Sequence, residues 1–188
     1  DEGRIRLRQE EFQRPDYKRH DTLGWNYRMP ELNAAVAFAQ LERIEELVEL
    51  RKDSAQIFID VMKKTDFLIP QFVPEGHTNS YYTLGVKYKG FEKYGITWTE
   101  FRKMYVDAGG DGIYGAWIVP YLEPLIKERK FVQRFPEAYK NIYYHEGLCP
   151  IAERIQPQLM QFKTNYRDLG LAKQRVNILK KVINKIKK

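Results

Sequence analysis

The sequence predicts a mixed domain of the α/β or α+β class, reached through one long helix. Three observations carry this reading. Apolar residues recur at three- and four-residue intervals from Leu32 to Met62. Short runs around Tyr81–Tyr88, Ile113–Val119 and Ile155–Phe162 are bounded by turn residues and rich in β-formers. A strict amphipathic stripe then closes the chain, so that strands and helices alternate from about residue 65.

The long helix is predicted from Pro30 to Lys64. Pro30 suits a first turn, where its missing N–H costs nothing, and Glu31 suits the positive end of the dipole. Leu32, Ala35, Val36 and Ala39, then Leu41, Ile44, Leu47 and Val48, mark one face, while Glu45, Glu46, Glu49, Arg51 and Lys52 lie outside it. Such a length exceeds the globular norm and suggests a spine joining two bodies. Pro70–Thr78 reads as a loop and Tyr81–Tyr88 as a strand. Thr97-Trp98-Thr99-Glu100 is a capping box that opens a helix running to about Ala108, and Gly109-Gly110 ends it. Ile113–Val119 reads as a second strand, Phe135–Tyr144 as a helix opening on Pro136, and Ile155–Phe162 as a third strand. In the terminal helix, Ala172, Val176, Leu179, Ile183 and Ile186 form one stripe that docks on the domain.

Composition narrows the class. With 43% hydrophobic and 14% aromatic residues in 188, the chain can bury a sizeable core. No apolar run approaches the ~18–20 residues that cross a bilayer. One cysteine, Cys149, cannot form an internal disulfide. This and the absence of Asn-x-Ser/Thr acceptors suit a reducing, cytoplasmic setting. The net charge of +7 sits on Arg167–Lys188, which carries eight basic residues and one acid, whereas the rest balances to zero. A nucleic-acid footprint would colour a face of the main body, so a solvated helix face explains the excess better.

Several motifs dissolve on inspection. Gly110-Asp111-Gly112-Ile113-Tyr114-Gly115 fits G-x-G-x-x-G by letter, but it follows a helix and enters a strand, the reverse of a dinucleotide loop. His20, His77 and His145 are too scattered for a metal site. Cys149, beside Pro150 with no local partner, reads as a buried, inert thiol. The tyrosines fall mostly at apolar periodic positions, where core packing is the default. Gly24-Trp25-Asn26-Tyr27-Arg28 is different: an amide, a phenol and a guanidinium precede the dipole-positive end of the long helix. There Asn26 can donate to a phosphate oxygen and Arg28 can fork two, although an ordinary helix start explains the same residues.

That loop, Gly24-Trp25-Asn26-Tyr27-Arg28-Met29-Pro30-Glu31-Leu32-Asn33-Ala34-Ala35, closely resembles the G-x-N-Y-R-M-x-E-x-x-A-A signature of the DegT/StrS family. These are pyridoxal-phosphate-dependent sugar aminotransferases of the aspartate-aminotransferase fold (fold type I). His77–Tyr88, Gly112–Pro124 and Cys149–Arg154 resemble further segments of the family's small domain. The Ser-x-x-Lys motif that carries the family's Schiff-base lysine has no counterpart here. The resemblance therefore implies the C-terminal half of such an enzyme. Residues 1–64 would be the end of the large domain with the connecting helix, and residues 65–188 the small domain.

The resemblance implies amino transfer from glutamate to a nucleoside-diphosphate-linked keto sugar, with pyridoxal phosphate as the electron sink. Asn26 would bind the cofactor phosphate across a homodimer interface formed by the large domain. Tyr27 and Arg28 would border the substrate, and Tyr82 and Trp117 would line the sugar pocket. No catalytic residue, metal, membrane or nucleic acid is expected for this chain, which alone should be inactive. Two departures bear on the sugar: Asn79–Leu84 lacks the aromatic-His pair common in relatives, and Gly115-Ala116-Trp117 replaces their usual residues before proline. Two alternatives stand beside this: a sugar dehydratase of the same family, with His for the lysine, and a non-catalytic basic binding module that uses the terminal helix.

Overall fold

A computed structural model of the chain describes residues 29–116, 118–130, 132 and 136–187. These fall in two units, one ending at Glu42 and the other beginning at Arg43. In the first, helix α1 (Glu31–Leu41) follows Pro30 at its N-cap. Eight of its eleven residues are apolar, yet none is buried.

The second unit is built on a four-stranded antiparallel sheet. Strands β1 (Leu68–Pro70), β2 (Leu84–Tyr88), β3 (Tyr114–Gly115) and β4 (Leu159–Phe162) lie in the order β1-β2-β4-β3. Leu84 faces Phe162 and Val86 faces Met160 across the central pair, and Leu68 faces Tyr88 at one edge. Alternation does the rest: Leu84, Val86, Tyr88, Met160 and Phe162 are buried, and the residues between them are half-exposed. Pro70, which has no N–H, sits on the edge strand β1, where proline is tolerated.

Helix α2 (Ile44–Met62) packs along the terminal helix α8 (Leu169–Ile186), and α4 (Trp98–Asp107) packs on α8 as well. Phe58 of α2 meets Phe162 at 5.9 Å and stacks on Tyr166 at 6.2 Å, while Phe67, Tyr88 and Phe101 form a second aromatic group at 5.3–6.1 Å. Each such side chain contributes roughly 1.5–3 kcal/mol on burial. The stripe of α8 is buried as its spacing predicts, and its exposed lysines account for the basic surface. Caps fix two helix starts. Thr97 Oγ1 accepts from Glu100 N at 3.3 Å while Glu100 accepts from Thr97 N at 2.7 Å, and Asp168 accepts from Leu171 N at 3.0 Å.

Between Pro120 and Ile155 the described residues include a 3-10 turn (Pro120–Leu122) and the short helices α5 (Pro124–Lys127), α6 (Pro136–Tyr139) and α7 (Pro150–Ile155). Each opens on proline, and none buries a residue.

The structure revises several expectations. The helix expected over Pro30–Lys64 is two helices, broken at Glu42–Arg43, where Arg43 leaves helical geometry (φ −113°, ψ 10°) and forks Glu46 at 2.9 and 3.1 Å. The strand expected from Tyr81 starts at Leu84, because Tyr81 is left-handed at φ 49°. Among the described residues, the strand expected over Ile113–Val119 is two residues long and the helix expected over Phe135–Tyr144 is one turn, with Trp117 and Phe135 lying outside them. The third strand begins only at Leu159, after α7 and a turn containing Pro157. Strand β1 and helix α3 (Gly90–Tyr94) carry too little period to be expected. Cys149 is exposed, not buried. Of the described tyrosines only Tyr88, Tyr105 and Tyr166 are buried, so most do not pack the core.

Candidate functional site

The turn that leads into β2 is held from several sides. Asn79 Oδ1 accepts from Tyr81 N at 2.8 Å, closing an Asx turn. The buried hydroxyl of Thr164, just after β4, donates to Tyr81 O at 2.6 Å and to Tyr82 O at 3.2 Å. From α2, Arg51 Nη1 donates to Tyr82 O at 3.1 Å, and its guanidinium lies 5.8 Å from the Tyr82 ring centroid. Thr83 Oγ1 donates to Phe162 O at 3.0 Å. Tyr82 nonetheless stands 83% exposed.

A second cluster surrounds the end of α4. Gly109, at φ 91°, lets Gly110 N donate back to Tyr105 O at 2.9 Å, a Schellman-type closure. This confirms the glycine-rich run as a helix-ending turn. The next residue, Asp111, accepts from Tyr166 at 2.6 Å and pairs with Arg175 at 3.3 Å, and Arg175 also donates to Gly109 O at 2.7 Å. Burial, reinforced by Asp111, raises the Tyr166 phenol well above its ordinary value.

A third cluster ties α7 to the 3-10 turn. Tyr121 donates a short hydrogen bond to Glu153, whose carboxylate also accepts from Gly147 N at 2.8 and 2.9 Å, and Cys149 N donates to Tyr121 at 3.0 Å. The Tyr121 and Gly147 donors hold Glu153 below the usual carboxylate range, while burial and this pairing push Tyr121 up to about 12. Nothing but the P-x-A-E letters marks Glu153 in the sequence, Asp111 stands there only inside the glycine-rich run, and Arg51 only among the polar residues of the long helix.

Of the five residues assigned to substrate or cofactor, Asn26, Tyr27, Arg28 and Trp117 lie outside the described residues, so only Tyr82 is placed. The described residues by themselves do not fit a pyridoxal phosphate site: no described lysine is buried, so no enclosed amine is offered to its aldehyde. A shallow cavity of about 290 Å³, lined by Val61, Lys64, Thr65, Lys180, Ile183 and Lys187, lies at the C-terminal ends of α2 and α8, where lysines oppose the helix dipoles. Among the described residues no helix is long and apolar enough to cross a membrane.

Residues 4–160 match the model of the DegT/DnrJ/EryC1/StrS aminotransferase family. The chain belongs to that family. Within it, a stretch of 39 residues is 44% identical to the GDP-perosamine synthase of Vibrio cholerae, covering 21% of this chain and 11% of that protein. The structure resembles an aminotransferase from Psychrobacter cryohalolentis (TM-score 0.69, 21% identity) over 93% of this chain and 44% of that one. It also resembles the E. coli GDP-4-keto-6-deoxy-D-mannose-3-dehydratase with bound hydrated PLP (TM-score 0.59, 16% identity), over 92% of this chain and 40% of that one. The chain thus spans less than half the length of these solved structures. Their likeness shows the fold, helices on a small four-stranded antiparallel sheet as in these aminotransferase-like structures.

Proposed function

We propose that these residues supply the end of the large domain, the connecting helix and the small domain of a sugar-nucleotide aminotransferase. That enzyme moves an amino group from glutamate to a nucleoside-diphosphate-linked keto sugar. The observation that carries this is the family match over residues 4–160, which includes the Asn-Tyr-Arg-Met loop. Residues 1–64 and 65–188 are assigned to the two domains, and α2 is then the stretch of connecting helix that docks on the small domain.

In this reading pyridoxal phosphate supplies the electron sink when bound, and the lysine that carries it comes from outside these 188 residues. The chain's own residues bind and orient. Asn26 donates to the cofactor phosphate, reinforced by the helix that follows. Tyr27 and Arg28 border the substrate and its phosphates, and Tyr82 and Trp117 line the sugar pocket. The enzyme is a cytoplasmic homodimer joined through its large domain.

The E. coli dehydratase among the structural relatives supports a second reading, loss of water from a keto sugar. One assay separates the two. The complete enzyme is incubated with pyridoxal phosphate, glutamate and a panel of nucleoside-diphosphate-linked keto sugars, and products are followed by mass spectrometry. Amino transfer yields an amino sugar with stoichiometric 2-oxoglutarate. A sugar that has lost a hydroxyl and carries no amino group, with the nitrogen released as ammonia, overturns the aminotransferase reading.

A further inference from the structure

We infer that Arg51 is a positioning residue for substrate recognition, acting through Tyr82; the inference rests on the proposed placement of Tyr82 at the sugar pocket. Tyr82 is exposed in its side chain and held in its backbone. The residue is 83% exposed, as one with no packing role would be. Its backbone, however, is fixed by donors from two separate elements: Arg51 on α2 and the buried Thr164 beyond β4 both bond its carbonyl. The preceding residue, Tyr81, is held left-handed at φ 49°, a conformation that L side chains rarely adopt and that persists where the surroundings over-determine it. A turn serving only to enter β2 needs neither a tyrosine at that φ nor an exposed aromatic after it.

Arg51 holds the turn through the Tyr82 carbonyl and reaches the Tyr82 ring with the same guanidinium. Among the described residues it makes no ion pair, and its side chain is spent on the Tyr82 carbonyl and on the neighbourhood of the Tyr82 ring. A guanidinium 5.8 Å from the centroid limits the orientations open to the phenol. The result is an aromatic face ordered before the ligand arrives, which lowers the entropy lost on binding. Loops so fixed by a rigid scaffold are where recognition residues concentrate. The ligand this face takes is a nucleotide-linked sugar, whose ring stacks on the phenol.

The test is a double-mutant cycle in the complete enzyme, with GDP-mannose and UDP-glucose as calorimetric probes. Tyr82→Ala is expected to weaken the better probe by about tenfold, the scale of a lost stacking contact. Arg51→Gln should weaken it several-fold, Arg51→Lys less, and Arg51→Gln should add nothing once Tyr82 is Ala. Additive effects, or unaltered binding by Arg51→Gln, overturn the inference. A separate readout needs no ligand: with 3-fluorotyrosine incorporated, Arg51→Gln should move the Tyr82 fluorine resonance toward its unfolded position, and an unmoved resonance overturns the positioning role. If the parent binds neither probe, the substrate reading of Tyr82 fails, and with it the recognition role. The fluorine result then still decides whether Arg51 orders the ring.

Discussion

The phenol of Tyr166 donates a 2.6 Å hydrogen bond to Asp111 Oδ2, which joins the residue just after the α4 turn to the approach of α8. Arg175 completes the link by pairing with the same carboxylate at 3.3 Å. Tyr166→Phe keeps the ring stacked on Phe58 and removes only the donor. A hydrogen bond to a charged acceptor is worth about 1.5–3 kcal/mol, so the variant should melt several degrees below the parent in a thermal scan. An unchanged melting temperature would mean that the link carries no stability.

The same burial sets an alkaline limit. Tyr88, Tyr105 and Tyr166 all have phenols raised by burial first, with Glu100 or Asp111 adding to it. Their folded values lie above the unfolded value of about 10, so the folded state keeps protons that the unfolded state releases. Their contribution is therefore complete below pH ~10 and is lost as pH rises beyond it. Phenolate absorbance and far-ultraviolet dichroism should show these three ionising together with unfolding. Ionisation of every phenol before any loss of dichroism is the contrary outcome.

The glycines around Asp111 give a graded test of the helix-ending turn. An added Cβ at Gly110 would lie 2.5 Å from a ring carbon of the buried Tyr105, so Gly110→Ala should cost about 1–3 kcal/mol. Gly109→Ala, at φ 91°, should cost about 1–2 kcal/mol. Gly112 faces open space, and its replacement by Ala should stay within about 0.5 kcal/mol. Urea denaturation of the three variants ranks them. A large cost at Gly112 with none at Gly110 contradicts the assignment.

Local signals carried their elements faithfully. The Thr97 capping box, the α8 stripe and the Gly109-Gly110 stop lie where side-chain chemistry places them. What escaped depends on tertiary partners. Asn79 offers a local Asx turn at Tyr81, but the left-handed conformation is also held from afar, by Thr164 on the Tyr81 carbonyl and by Arg51 on that of Tyr82. The break at Arg43 has neither proline nor glycine, so the apolar period runs across it undisturbed. Strand β1 is three residues long and is defined by its pairing with β2, not by its own pattern. In the candidate site, Tyr82 could be named from family letters, but Arg51 has a role only through geometry.

Helix α1 points to association. A helix that is apolar nearly all round is normally buried, yet Leu32, Val36, Phe38 and Leu41 are each 60–77% exposed. Residues 1–188 expressed alone should therefore self-associate. Sedimentation velocity at tens of micromolar should show dimers or larger species. A monodisperse monomer contradicts this.

The Asn-Tyr-Arg-Met loop is proposed to serve a pyridoxal phosphate site, and a paired cofactor titration decides it. In the complete enzyme, Asn26→Ala removes one charge-assisted hydrogen bond, worth about 1.5–3 kcal/mol. At ~1.4 kcal/mol per factor of ten, cofactor affinity should fall roughly ten- to a hundredfold. Asn33, exposed on α1, supplies the control, since Asn33→Ala removes an amide away from the loop. Apo-enzyme is titrated with pyridoxal phosphate and followed by the cofactor's absorbance. Weakened binding is expected for Asn26→Ala and parental binding for Asn33→Ala; parental binding by both makes Asn26 an ordinary helix-start residue and overturns the proposed phosphate contact.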